Sequence, residues 1–375
     1  MHRNLLRLND ISKLEVFLQK VLRLLFLYSV FILFAFVIHS CKDKERPPSS
    51  KPDNASGVLI SNEGTFNFNT ASLGWFDLEK EQYMGNIFSK INQKPLGDVL
   101  QSVLVTTDQL WLVLNNSNKV VVLSRKDFKQ KGEIKGLQSP RYLLPVDDDF
   151  IWVSDLKSGE ISVLNRHTLS LDHTFDFKPG WSEQMIKDDE GVVWVTHPAW
   201  YNGESTRYIY AIDIQLERII DSIEVMDGPT LILPGPSHTA WVYCQGHEQT
   251  KAAGGIVRVS LADRRILGRL NFPGNEYPLG AAMSYDSIHQ KLYFLHKDVY
   301  TVSADQISNP PERIIESKGK SYYSLQYIEA SNELYVGDAV DFVQTGVVER
   351  YTVSGTLIST FRSGVIPNGF YYLPN

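Results

Sequence analysis

From Gly57 onward the sequence predicts an all-β fold, a seven-bladed β-propeller with four-stranded blades, on three observations. Helical periodicity is almost absent, while short alternating or apolar runs bounded by Gly, Asn, Asp and Pro recur throughout. An aromatic-centred apolar run repeats at Trp111, Trp152, Trp194, Trp241, Tyr293 and Tyr335, at intervals of 41, 42, 47, 52 and 42 residues, the period of a propeller blade. The C-terminus supplies an apolar strand, Gly369-Phe370-Tyr371-Tyr372-Leu373, that has no blade of its own.

Each recurring run is the second strand of a unit. A less polar strand and a turn precede it, as Tyr142 to Val146 and then Asp147-Asp148-Asp149 precede Trp152. A third strand follows, predicted at Lys119 to Leu123, Glu160 to Leu164, Tyr208 to Ile212, Gly255 to Val259, Asp298 to Val302 and Val347 to Val353, and a more polar fourth closes each unit. A seventh unit begins at Gly57-Val58-Leu59-Ile60 and continues through Leu73-Gly74-Trp75-Phe76, but no innermost strand precedes it. Pairing the C-terminal strand with Leu59 closes the ring and removes the free edges that an open sheet must protect. The recurring Trp and Tyr then pack between blades and specify architecture rather than chemistry.

The 375 residues are 43% hydrophobic and 21% charged, enough apolar material for a sizeable core. Formal charge is -6, and the first 40 residues carry five basic and two acidic residues, so the remainder stands at -9. An acidic body without a basic stripe lacks the electrostatic footprint of nucleic-acid binding. Of the two cysteines, Cys244 ends an apolar strand and reads as a small buried hydrophobe.

Arg23 is followed by an uncharged run from Leu24 to Ile38, long enough for a signal-peptide core and short for a membrane span of about 20 residues. The run ends Val37-Ile38-His39-Ser40-Cys41, which resembles a bacterial lipobox, although His39 stands where a small residue is usual. The resemblance implies cleavage after residue 40 and a lipid on Cys41; the alternative is an uncleaved anchor. Behind it, Lys-Asp-Lys-Glu and a Pro- and Ser-rich stretch read as a tether over residues 41–56, leaving 57–375 for the propeller. Charged residues just behind the cysteine look like the export signal of surface lipoproteins in Bacteroidetes, and equally suit a solvated linker. The expected location is the outer membrane, surface-exposed or facing the periplasm.

Strands of a blade alternate direction, so the loop after each second strand and the crossing to the next blade share one face. The informative residues collect there. Second-strand loops offer Glu63, Phe66, Asn115, Asn116, Trp200, Tyr201 and His247; the crossings offer Arg141, Trp181 to Gln184, Tyr277, Tyr322 and Tyr323. Aromatic planes mixed with amides suit a large, flat, amide-rich ligand. Of the ligand-binding candidates, Trp181, Trp200 and Tyr201 stand out because no strand requires them; Asn115 and Asn116 also suit a simple turn.

Catalytic and metal signatures are missing. His247-Glu248 has no second histidine at the helical zinc spacing, and there is no Cys-x-x-Cys, Gly-x-Ser-x-Gly or phosphate-binding Gly-rich loop. Asp338 and Asp341 are loop carboxylates that suit calcium or plain solvation. No catalytic residue, metal or cofactor is assigned, although propeller active sites assemble from separate blades and leave no local motif.

Ile60-Ser61-Asn62-Glu63-Gly64, with the Asn-rich loop and Ala71-Ser72-Leu73 behind it, and the ending Gly364-Val365-Ile366-Pro367-Asn368-Gly369-Phe370 together resemble the YncE-like propeller lipoproteins of Bacteroidetes. That group includes the BtuG family, surface lipoproteins that capture cobalamin and hand it to a TonB-dependent outer-membrane transporter. The resemblance implies a non-enzymatic protein that binds cobalamin or a related corrinoid, with such a transporter as partner. The alternatives are a cell-surface propeller that binds protein or glycan, and an extracytoplasmic hydrolase or lactonase.

Overall fold

The computed structural model describes residues 56–199, 203–272 and 276–374. The signal segment, Cys41 and almost all of the tether lie outside the described residues, as do Trp200 and Tyr201. Short strands, buried on both faces in the middle of each blade and partly alternating only at its outer edge, build seven four-stranded antiparallel sheets arranged as a propeller. Blade 1 comprises Gly57–Asn62, Ser72–Asp77, Gln82–Met84 and, as its innermost strand, Pro367–Leu373. Blades 2 to 7 span residues 100–134, 140–176, 185–224, 229–271, 282–315 and 322–362 in chain order.

The seven innermost strands are Pro367–Leu373, Leu100–Val105, Pro140–Pro145, Met185–Lys187, Pro229–Pro234, Ala282–Asp286 and Tyr322–Ile328. All seven contribute to a central channel. The C-terminal strand pairs with the strand after the tether, Leu59 opposite Tyr371 and Ile60 opposite Phe370, so the ring closes as the orphan segment predicts. Among the described residues the one departure from all-β is a short helix, Ile87–Asn92, in the crossing from blade 1 to blade 2, whose buried Ile87 and Phe88 join Trp75 in the core.

The core lies between neighbouring blades. Trp111 packs with Ile151 and Val153 of blade 3, Trp152 with Val193 and Val195 of blade 4, and Trp241 with Phe294 of blade 6. In blade 1 the large ring has moved to the third strand: Trp75 lies opposite Leu59, whereas Trp111 of the second strand lies opposite Val122. That exchange hides the first blade from a search for second-strand aromatics. At the closing interface Tyr335 packs with Val58, Ile60 and Phe370. There buried Arg350 makes two 2.9 Å hydrogen bonds to Glu333 and one of 3.1 Å to Glu81 of blade 1, with its guanidinium 4.7 Å from the Phe76 ring centroid. Cys244 is a free, fully buried thiol whose pKa burial pushes up to about 12, the inert hydrophobe its strand position suggests.

Removing residues 369–375 strips blade 1 of its inner strand and exposes the edge at Leu59. The truncated protein is expected to lose cooperative thermal unfolding or melt far below the parent; an unchanged melting curve contradicts closure by this strand.

Candidate functional site

Residues at the heads of the inner strands meet at one mouth of the channel, and irregular strand pairing places them there. The register slips between Leu100 and Ser102, Pro140 and Leu143, Pro229 and Leu231, and Tyr322 and Ser324, and again between Pro367 and Gly369 where they face Asn62 and Ser61. The extra residues are Gln101, Arg141 with Tyr142, Thr230, Tyr323 and Asn368. A β-bulge re-aims the side chain that it carries. Four of these five heads place a member in a polar belt around the mouth.

The belt runs through hydrogen bonds. Arg141 pairs in bidentate fashion with Glu183, Nε to Oε2 at 2.8 Å and Nη2 to Oε1 at 2.6 Å, and donates from Nη1 to Gln101 at 2.5 Å. Trp181 Nε1 donates to Glu183 Oε2 at 2.5 Å, and the Trp181 carbonyl lies 2.7 Å from Nδ1 of buried His197. Asn368 donates to the carbonyls of Leu100 (2.8 Å) and Gln101 (3.1 Å) and, at 3.4 Å, to Glu63 Oε1. Tyr323 donates to the same Glu63 oxygen at 3.1 Å. Members come from blades 7, 1, 2 and 3 and from the crossing into blade 4. Blades 5 and 6 supply the small or apolar Leu231, Ala281 and Ala282 to the channel wall.

The backbone holds these groups rigidly. Glu63 donates its N–H to the Ile366 carbonyl at 3.0 Å, and its carbonyl accepts from Leu100 at 3.2 Å. The next residue, Gly64, has φ 84°, and a Cβ there would lie 2.4 Å from the Ala71 nitrogen, so only glycine allows this loop to fold back beside Glu63. Polar residues ending the second strands fasten the crossings: Asp155 accepts from the Ser139 amide at 2.6 Å, Asp338 from the Ser321 amide at 3.0 Å, and Asn62 from Gly364 at 3.0 Å.

Electrostatics sets the protonation states. Burial opposes charge on Arg141, but the field of Glu183 outweighs it and holds the guanidinium protonated. Burial pushes the half-buried Glu63 carboxyl above the usual range, against the hydrogen bond from Tyr323, the Arg141 charge and the hydrogen bond from Asn368. Burial likewise raises the phenols of Tyr142 and Tyr323, reinforced by Glu183 and Glu63 respectively, so both stay neutral. The channel below the belt has a volume of about 290 Å³.

Of the candidates named from sequence, the structure brings Glu63, Arg141 and Trp181 together. Phe66 is 61% exposed in the loop beyond Glu63. Buried Asn115 holds Ser139 Oγ and the Pro140 carbonyl, and Asn116 ties Asn67 to Asp98, so both brace loops around the mouth. His247 and Tyr277 line a separate cleft of about 310 Å³ on the same face. Tyr322 turns into the wall between blades, where its hydroxyl meets Glu349 at 2.7 Å and Tyr351 at 3.0 Å; its neighbour Tyr323 reaches the mouth. Asp338 and Asp341 cap backbone amides of their own loop, and the described residues contain no cluster of three or more metal-ligating side chains. Gln101 carries no sequence signal of its own, and Asn368 stands out only as part of the closing motif at residues 364–370.

Residues 56–242 match the family model described as Domain of unknown function (DUF5074). No curated protein matches the chain. Among solved structures it is similar to a quinonprotein alcohol dehydrogenase-like protein from Bacteroides thetaiotaomicron VPI-5482, at 13% identity and TM-score 0.64 over 85% of this chain and 78% of that one. A functionally unknown protein from Desulfotomaculum acetoxidans DSM 771 matches at 12% identity and TM-score 0.64, over 86% and 100%. Virginiamycin B lyase from Staphylococcus aureus matches at 14% identity and TM-score 0.53, over 76% and 92%. At these identities the likeness is one of fold.

Arg141→Met strands the buried Glu183 carboxylate and is expected to cost about 3 kcal/mol in denaturant unfolding, with partial recovery on adding Glu183→Gln; an unchanged midpoint contradicts the pairing. His296, buried and stacked 4.2 Å from Phe272, has its pKa lowered to about 4, chiefly by burial. The unfolded chain therefore binds the extra proton first, and stability falls as pH drops from about 6.5 to 4, by on the order of 2–3 kcal/mol. His296→Phe should flatten that part of the stability profile.

Proposed function

We propose that this is a non-enzymatic binding protein, tethered to the outer membrane by a lipid on Cys41, that captures a large amide-bearing molecule of the corrinoid class at the channel mouth and passes it to a TonB-dependent transporter. The observation that carries the reading is the belt: a fixed set of donors and acceptors, braced by backbone bonds, around an opening with aromatic residues on its face. A volume of about 290 Å³ lies at the lower end of ligand pockets. A large ligand therefore rests its body on the rim and inserts one arm. Corrinoids combine a flat macrocycle, which suits contact with Phe66 and Trp181, with peripheral amide arms that suit the belt.

Two of the segments that carry the family resemblance, residues 60–64 and 364–370, supply Glu63 and Asn368, which meet at this mouth. Strand Gly57–Asn62 runs toward Glu63, so Ser56, where the described chain begins, lies on the opposite face. The mouth is thus clear of the tether's point of attachment.

A second reading is favoured by Glu63 alone. A carboxyl raised by burial beside a neutral tyrosine and an arginine is an environment that acid–base catalysis uses, and it suits an extracytoplasmic hydrolase or lactonase. Absorbance titration of the full chain with cyanocobalamin distinguishes the readings. Saturable binding without turnover, weakened about tenfold by Trp181→Ala, is expected. Absence of binding, together with hydrolytic turnover that is lost in Glu63→Gln, supports the enzyme instead.

A further inference from the structure

We infer that the channel mouth selects ligands presenting a nitrogen-borne hydrogen-bond donor, an ammonium ahead of a carboxamide, and turns away carboxylates, with Glu63 as the specificity-determining residue. The inference rests on the mouth being the binding site, as proposed above, but not on the ligand being a corrinoid.

The charge balance of the belt leads to it. The belt holds two carboxylates, Glu63 and Glu183, and one guanidinium, Arg141. Arg141 and Glu183 engage each other through two hydrogen bonds, and the remaining bonded Arg141 nitrogen is turned to Gln101. Glu63 is left with neutral donors, Tyr323 and Asn368, and both reach Oε1. Among the described residues Oε2 accepts no hydrogen bond. A half-buried carboxylate served by neutral groups lacks one positive charge, and a ligand N–H directed at Oε2 supplies what the protein withholds. An ammonium adds full charge compensation; a carboxylate brings like charge to the same place and is repelled.

The groups that act on Glu63 are Arg141 from blade 3, Tyr323 from blade 7 and Asn368 from the inner strand of blade 1; behind Arg141, Tyr142 feels the charge of Glu183 and the phenol of Tyr371. Burial holds the three phenols neutral, and Arg141 stays charged. Burial raises the Glu63 carboxyl above the usual carboxylate range. Its ionised form accepts from the ligand, so affinity falls as pH drops through its range.

The test presents propylammonium, propionamide and propionate to the full chain in detergent micelles, with binding read by ligand-observed NMR and folding by thermal melting. Propylammonium is expected to bind about tenfold more tightly than propionamide, with propionate weakest. Glu63→Gln should bring the ammonium and amide together at an unchanged melting temperature, and acidification should weaken the ammonium in the wild type only. Should Glu63→Gln fail to fold, Glu63→Asp is expected to keep the order with lower affinity. Propionate binding as well as propylammonium, an order unchanged in Glu63→Gln, or no detectable binding of any fragment overturns the inference. Cyanocobalamin in parallel separates the two proposals: no corrinoid binding beside an intact ammonium preference removes the corrinoid reading and leaves this one standing.

Discussion

The mouth of the channel depends on one irregularity, the extra residue at the head of an inner strand. A regular inner strand would send alternate side chains into the channel and into the blade wall, in a pattern fixed by its pairing with the second strand. At Gln101, Arg141, Tyr323 and Asn368 the pairing slips by a residue, and a polar side chain that regular pleating would misplace reaches the rim. The bulges sit beside crossings already fastened by Asp155, Asp338 and Asn62, so the re-aimed side chains rest on a rigid frame. Precise polar recognition needs that rigidity.

Ring closure serves the same end. Asn368 lies in the strand that completes blade 1 from the far end of the chain, and its donors reach the carbonyls of Leu100 and Gln101 in blade 2 as well as Glu63. The closing strand therefore supplies part of the mouth while it removes an open edge. Arg350, held between Glu333 and Glu81 against Phe76, and Tyr335 among Val58, Ile60 and Phe370 tie blade 7 to blade 1. Fold and site share these residues, so a loosened ring is also a disordered mouth.

The architecture was legible because its signal is repetitive. Six aromatic second strands at blade spacing and one orphan strand determine a closed ring of seven, and the third strands fall within a residue or two of the predicted spans. Blade 1 needed the orphan strand as a clue because its large ring, Trp75, occupies the third strand. The site was legible only where a residue type was unusual for its loop, as with Trp181, Arg141 and Glu63. Gln101 and Asn368 are ordinary polar residues whose role comes from a slipped register, which no single-sequence periodicity reports. Tyr322 and Tyr323 show the limit most sharply: adjacent tyrosines, one buried against Glu349 and one at the mouth, are separated by a bulge alone.

The most direct test of the belt as the binding site is hydrogen exchange by mass spectrometry on the full chain, with and without cyanocobalamin. Protection confined to the segments around residues 62–66, 100–103, 140–143, 181–184, 322–324 and 367–369 is the expected result, since these carry the belt on four neighbouring blades and one crossing. Protection centred instead on the opposite face, or on the outer strands, would contradict the account.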